Sequence, residues 1–443
     1  MRTLIENATL ITLDAEDRIL PQAALALEST TIVAVGEVPT DFVPDVVIDG
    51  RELVALPALF NAHTHAAMTL ERGWAEDLPF ERWLNEKIWV AESALEEEDV
   101  YWGAALACAE MLRAGTVGFG DHYFWMDQTA RAVEESGMKA LLAWCHFGNG
   151  DDKEVGGTSL AETVAFVARW QDAAGGRIHT TLGPHSPYMV PPAVLRRFAE
   201  EAHRVGVGVH LHLSESQAQL DNSLQRHGCS PTAHIAALGL LDLPGPSLVA
   251  HCNFLLDSDI ALLAEKGTYV AHTPKTYQKL AMPLPPLLQM LESGVHVALG
   301  TDGPASNSDL NLLEVMRLTG LYQKVTHADP EALPRTQLLR LATQAPAAAL
   351  GFAASGVLAP GHPADVVLFD TTAPHWMPRH DLAAGIVYTS HPGDVAYVWC
   401  DGQLLYRKGD YLTLDIERIR WEAERRAFRM VGKPMASMRA YQG

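Results

Sequence analysis

Cysteine is scarce in this chain and follows no pattern. Five occur in 443 residues, at Cys108, Cys145, Cys229, Cys252 and Cys400. The number is odd, the spacing is wide and no C-x-x-C is present. That excludes a disulfide framework and a zinc knuckle, and it fits reduced thiols in the cytoplasm. Long apolar runs are also missing. None approaches the roughly 18 residues a membrane helix needs, and Met1–Asn7 lacks the apolar stretch of a signal peptide. Basic charge is in short supply: 33 Lys and Arg face 54 Asp and Glu, a net charge of −21. Nucleic acid and anionic membrane surfaces require a basic face, so both are excluded as partners. A cytoplasmic protein acting on a small molecule is expected, with a homo-oligomer left open on base rates.

Histidine is plentiful, with 19 residues, and its placement is informative. His63-Thr64-His65 directly follows the apolar run Leu53–Phe60. On a strand, side chains alternate faces with a period of two. Both imidazoles then leave one face, spaced to grip a single metal ion.

The chain is too long for one comfortable core. Residues 1–57 read as short strands, with Thr9–Leu13, Thr31–Val35 and Val46–Gly50 the clearest. From 58 to 352, apolar runs alternate with helical segments such as the one around 129–137. After Leu53–Phe60 the expected strands are Gly115–Asp121, Ala140–Trp144, Ile178–Gly183, Val207–His212, Ser247–His251, Tyr269–His272 and His296–Asp302. This alternation predicts eight parallel strands with crossover helices, a (β/α)8 TIM-like barrel. Over 353–443 the texture returns to β at Ala364–Asp370 and Val395–Gly402, followed by a charged, helix-like tail over 416–428. The two β-rich ends are expected to join in one small sheet domain. The fold class is therefore α/β, a barrel with a sheet domain made from both chain ends.

Catalytic groups of such barrels sit at the C-terminal ends of the strands. Six expected strand ends carry histidine or aspartate: His63 and His65, then His185, then His210 and His212 with Glu215 close behind, then His251, His272 and Asp302. A lone strand-end histidine is usually structural, but six such ends are a pattern. Zinc takes imidazole nitrogen and carboxylate oxygen and, when catalytic, keeps one position for water. Three histidines and one aspartate leave it net positive, so that water ionises near neutral pH. Glu215 is placed to pass a proton to a substrate nitrogen. Between His210 and His212, which share a strand, the H-x-x-E spacing favours His212.

Asn61-Ala62-His63-Thr64-His65, His212-Leu213-Ser214-Glu215, Ala250-His251-Cys252 and Gly300–Asn307 together resemble the amidohydrolase superfamily. Within it the chain is similar to the branch holding 5′-methylthioadenosine/S-adenosylhomocysteine deaminases and triazine hydrolases. The resemblance covers nearly the whole chain. It implies one divalent ion, zinc by preference with Fe2+ or Mn2+ also suited, held by His63, His65, His212 and Asp302. The segment Arg177–Ser186 has no lysine to bridge a second ion. The resemblance further implies that His251 contacts the attacking water, Asp302 accepts its proton and Glu215 protonates the ring nitrogen. Trp83 would stack on the base, Glu92 would bind ribose hydroxyls, His185 would bond a ring nitrogen, and Ser306 would hold the base or Asp302.

Two departures stand out. The deaminases are expected to carry arginines after strand three and in the loop that follows. Here Trp144 takes the first position, as a candidate wall of the pocket, and the loop over 148–159 offers only Lys153. After His272 the chain reads Thr273-Pro274-Lys275-Thr276-Tyr277-Gln278, with tyrosine where asparagine is usual. Both departures favour a smaller aminated ring over adenosylhomocysteine. The expected function is hydrolytic deamination of an aminated purine, of adenosine, methylthioadenosine or adenosylhomocysteine type, with hydrolysis of another ring (triazine, guanine or pterin) as the alternative. A non-catalytic metal protein fits poorly, because a structural zinc site needs neither an acid nor an open position. A cytidine-deaminase type of site is excluded, because H-x-E with P-C-x-x-C is absent.

Overall fold

Eight parallel strands lie side by side in chain order: Leu59–Thr64, Thr116–Tyr123, Lys139–His146, Ile178–Pro184, Val209–Leu213, Ser247–His251, Tyr269–His272 and His296–Leu299. In this computed structural model, residues 1–148 and 158–433 are described. Helices cover the outside of the strands, so the strands are buried on both faces and read as continuous apolar runs. The eighth strand returns to the first. The Asp302 backbone N–H donates to the His63 carbonyl at 2.9 Å. A Cβ on Gly300 would lie 2.9 Å from the His63 nitrogen, so only glycine permits this approach. The amide of Asn61 adds a reciprocal pair, Nδ2 donating to Thr301 Oγ1 at 2.7 Å and Oδ1 accepting from Thr301 N–H at 3.0 Å.

The barrel begins later than the sequence suggested. Leu53–Pro57 is a separate strand, parallel to Arg2–Ile11 and antiparallel to Val366–Asp370. The chain changes sheets at one residue: the Ala58 N–H donates to Asp365, and the Leu59 N–H to Gly115. Both strands are wholly buried, so hydrophobicity carries no trace of the seam. Pro57, lacking an N–H, ends the first ladder.

The two chain ends meet in a nine-stranded sheet. Its order is Asp410–Tyr411, Gln403–Arg407, Val395–Cys400, Val366–Asp370, Leu53–Pro57, Arg2–Ile11, Ile19–Glu28 and Thr31–Gly36, with Val46–Asp49 also pairing with Arg2–Ile11. Ile19–Glu28 is a strand within the β-rich stretch 1–57 but was not among the clearest there, because its run of alanine and leucine has weak β propensity. Antiparallel neighbours on both sides override that propensity. The tail forms a helix, Ile416–Met430, that packs on the barrel's outer layer rather than on the sheet. Arg426 and Arg429 pair with buried Asp99 of the helix Glu97–Arg113, and Arg418 lies over the Trp102 ring. Among the described residues no helix is long and apolar enough to cross a membrane.

Lys139 locks the barrel to the sheet. It opens the third barrel strand, is almost wholly buried, and donates to Asp365 at 2.6 Å and to Asp401 at 2.7 Å. Ser355 also donates to Asp365. Removing one partner of a buried ion cluster strands the others in low dielectric. Lys139→Met is therefore expected to lower unfolding free energy by about 3–5 kcal/mol in a denaturant titration, well beyond the loss from a surface lysine.

Candidate active site

At the C-terminal end of the barrel, His63 and His65 leave the first strand, His212 the fifth, His251 the sixth and Asp302 the eighth. Two overlapping donor sets form there, His63–His65–His212 and His63–His251–Asp302. Within each, the ligand atoms lie within 4.8 Å of one another.

The hydrogen bonds around these rings decide which nitrogens face inward. His65 Nδ1 donates to the His122 carbonyl at 2.7 Å, and His212 Nδ1 donates to the His185 carbonyl at 3.1 Å. His63 Nδ1 lies 2.8 Å from His210 Nε2. Each ring turns its Nδ1 outward and its Nε2 to the centre. The Nε2 atoms of His65 and His212 face each other at 3.3 Å. His63 Nε2 is buried without a hydrogen-bond partner. Asp302 Oδ1 lies 3.2 Å from His65 Nε2 and 3.5 Å from His63 Nε2. Nitrogens and a carboxylate converging this closely fit a divalent ion. Burial opposes charge on His65, yet Asp302 lifts its pKa to about 8, whereas burial takes His63 down to about 4. Burial opposes the Asp302 carboxylate, but bonds from His63 and His65 hold its pKa well below the usual range.

His210 is thus not a competing ligand. It sits behind His63 and orients that ring. Ser306 serves Asp302 in a similar way: its hydroxyl donates to Oδ2 at 3.0 Å while the Gly303 N–H donates to Oδ1 at 2.8 Å. The strand ends that carry the site are strained. Ser214, His251, Cys252 and Asp302 all have positive φ, at 50°, 80°, 56° and 66°. Such backbone costs about 1–3 kcal/mol per residue and persists where the surroundings over-determine it.

Above the donor set is a cavity. Glu215 lines it, nearly buried, accepting from the Tyr188 hydroxyl at 3.1 Å and standing 3.7 Å from His251 Nε2. Trp83, Glu92, His185 and Ser306 also line the cavity. Trp83 is buried and stacks on Phe80, within a segment that loosens into a π-helical turn at Leu84–Ile88. His185 stacks on Phe147 at 4.6 Å. Burial, aided by neighbouring histidines, drives its pKa down to about 3, so the ring is neutral. Ser186 Oγ accepts from the Met189 N–H and lies 3.0 Å from His185 Nδ1.

Trp144 does not belong with these residues. Strand alternation turns Cys145 and Phe147 toward the cavity and Trp144 outward, where it packs edge-on against Phe166 of the helix Leu160–Trp170. Residues 149–157, including Lys153, lie outside the described residues. Tyr277 does not reach the cavity either. Wholly buried, it accepts from the Thr273 N–H at 3.1 Å and donates to the His251 carbonyl at 3.4 Å, so it props the strained end of strand six. Lys275 is drawn to Asp309 and Glu314. Thr276 lines the cavity and bonds Ser306. Sequence reasoning missed Tyr188, Phe147 and the group Asp121-His122-Tyr123 at the end of strand two. The strand-end rule, applied to strand two as well, would have found the last of these.

A cation site of buried imidazoles and a carboxylate, beside a buried acid and an open cavity, defines a metal-dependent hydrolase. Comparison with known proteins narrows the class. Residues 54–405 match the model of the amidohydrolase family. A 5-methylthioadenosine/S-adenosylhomocysteine deaminase from Pelotomaculum thermopropionicum is 41% identical, over 97% of this chain and 99% of its own. One of the same name from Dictyoglomus thermophilum is 42% identical, over 98% and 100%. A zinc-bound adenosine deaminase structure from Xanthomonas campestris superimposes with a TM-score of 0.91 at 32% identity, covering 97% of this chain and 98% of that one. A zinc complex of atrazine chlorohydrolase from Arthrobacter aurescens gives 0.87 at 25% identity, covering 96% and 100%. The chain belongs to the amidohydrolase family, as a hydrolase acting on carbon–nitrogen bonds.

Outer groups that orient metal ligands typically govern affinity by about 10–100-fold. His210→Phe is expected to weaken zinc binding by about that factor in competition with a chromogenic chelator, without unfolding the protein. Unchanged affinity would show that His63 is held by packing alone.

Proposed function

We propose that this chain deaminates adenosine-type nucleosides, replacing the exocyclic amine by oxygen and releasing ammonia. One observation carries the reading: a single aromatic-walled cavity is bordered by the donor set and Glu215 and also by the buried carboxylate of Glu92. An aminated base needs the first two, and a ribose needs the third.

Zinc is the proposed metal, with His63, His65, His212 and Asp302 as its ligands. When bound, it supplies Lewis acidity and lowers the pKa of a water toward neutrality. The residues around it do the rest. His251, with Nδ1 3.3 Å from Thr273 Oγ1, borders the path of the attacking water. Asp302 accepts that water's proton. Glu215, steadied by Tyr188, delivers a proton to the ring nitrogen as oxygen adds to the carbon bearing the amine. As the C–N bond breaks, the proton held by Asp302 passes to the amine and the new hydroxyl gives its proton back to Glu215, so water and amine become carbonyl and ammonia. Trp83 stacks on the base, His185 donates to a ring nitrogen, and Glu92 accepts from the ribose hydroxyls. Among the described residues no lysine or arginine lines the cavity. This favours adenosine and 5′-methylthioadenosine over a substrate bearing a carboxylate.

Ammonia release from adenosine, methylthioadenosine, adenosylhomocysteine, guanine, a pterin and a triazine tests the reading. The highest kcat/KM is expected with the first two. Turnover of the triazine alone would move the chain to the ring-hydrolase alternative. Glu215→Gln is expected to retain metal by elemental analysis yet lose about 10²–10⁴-fold in kcat, the usual worth of a positioned acid–base group. Full activity would remove Glu215 from the proton path.

A further inference from the structure

Glu71 is a buried acid that the proposed chemistry does not use. It ends the short helical turn Ala66–Glu71 after His65 and is 1% exposed. Its Oε1 lies 3.5 Å from the Tyr123 hydroxyl, and its Oε2 is buried without a partner. Tyr123 ends the second barrel strand and is itself buried. Its hydroxyl donates to Glu92 Oε1 at 2.7 Å. Three buried polar groups therefore stand in line, and the last of them borders the cavity.

A phenol has one proton, and the short contact shows where it goes. Glu71 then has no donor for either oxygen. An ionised carboxylate buried in that state would be uncompensated. Burial, reinforced by the charge of Glu92, raises the Glu71 pKa well above the carboxylate range, so it keeps its proton. A protonated carboxyl is a donor, and the Tyr123 oxygen is the acceptor within reach. The direction of the chain follows: Glu71 O–H to Tyr123 oxygen, Tyr123 O–H to Glu92 carboxylate. Hydrogen bonds in series polarise one another, which strengthens the last of them. The negative charge stays at the cavity end.

We propose that Glu71 and Tyr123 are positioning residues for Glu92, a buried relay that pins one carboxylate oxygen and leaves the other to accept from vicinal hydroxyls of the substrate. The proposal rests on the reading of Glu92 above. It adds two residues to the machinery that selects a ribonucleoside, neither of which touches the metal or the reacting atoms. The 3.5 Å link from Glu71 is the weaker one, so its removal should matter less than removal of Tyr123.

The test compares adenosine with 2′,3′-dideoxyadenosine in the zinc-loaded full chain, with metal content and melting temperature measured for each variant. Tyr123→Phe is expected to raise KM for adenosine about tenfold, as loss of a hydrogen bond to a charged group implies, while kcat and the dideoxy kinetics stay within about twofold. Glu71→Leu should raise the adenosine KM by about threefold, and Glu71→Gln, whose amide still donates to Tyr123, should restore most of it. Equal losses on both substrates would overturn the relay, because a merely structural role does not depend on substrate hydroxyls. An unchanged adenosine KM in Tyr123→Phe would do the same, and in Glu71→Leu it would remove Glu71 from the chain. Glu71→Leu and Glu71→Gln keep the proposal testable should Tyr123→Phe fail to fold. A wild-type enzyme that deaminates neither nucleoside would overturn the deaminase reading, and the relay with it.

Discussion

The contact between the first and eighth barrel strands governs the rest of the site. Asn61 and Thr301 bond reciprocally, Thr64 Oγ1 donates to the Asp302 carbonyl at 2.9 Å, and the Asp302 N–H donates to the His63 carbonyl. These bonds close the barrel. They also place a carboxylate from residue 302 against two imidazoles from residues 63 and 65. Closure and ligand geometry are thus one constraint, and neither is met without Gly300, where a side chain would strike the His63 backbone.

Around that seam the polar interior is arranged so that each ring turns Nδ1 outward and Nε2 inward. Backbone carbonyls at His122 and His185, and the ring of His210, take the Nδ1 side of each ligand histidine. The cost is a set of imidazoles that burial keeps from being charged, together with left-handed backbone at four residues on three strand ends. Buried polar groups of this kind are tolerated when each has a partner. Within the two donor sets, His63 Nε2 is buried without a partner among the described residues.

The cavity joins two electrostatic regions. At the donor set, negative charge from Asp302 awaits a cation. Also on the cavity wall, Glu92 is a buried carboxylate whose pKa burial raises to about 7, against the opposing bond from Tyr123. Aromatic rings from Trp83, Phe147 and Tyr188 complete the lining. A flat, uncharged ring with hydroxyls at one end and an amine at the other matches that distribution.

The barrel was legible because parallel strands buried on both faces read as apolar runs, and because histidine, aspartate and glutamate recur where those runs end. Spacing placed His63 and His65 on one face, and the H-x-x-E interval singled out His212 with Glu215. Other features left no such mark. Leu53–Pro57 and Leu59–Thr64 are equally apolar, so only hydrogen-bond pairing shows that they belong to different sheets. Ile19–Glu28 is a strand because its neighbours make it one. Trp144 was assigned to the cavity from its position after strand three, yet strand phase turns it outward. Tyr277 looked like a pocket residue and is a backbone prop. Glu71 is invisible in one dimension, since it gains meaning only beside Tyr123 and Glu92, which lie 52 and 21 residues further on.

The sequence by itself determined which chemical groups are available and the order in which they reach the barrel rim, because local periodicity dictates strand ends. Only the tertiary structure decided which nitrogen of each histidine faces the centre, that His210 lies behind His63 and outside both donor sets, and that Glu71, Tyr123 and Glu92 stand in line. Those outcomes depend on hydrogen bonds and desolvation between residues brought together by barrel closure.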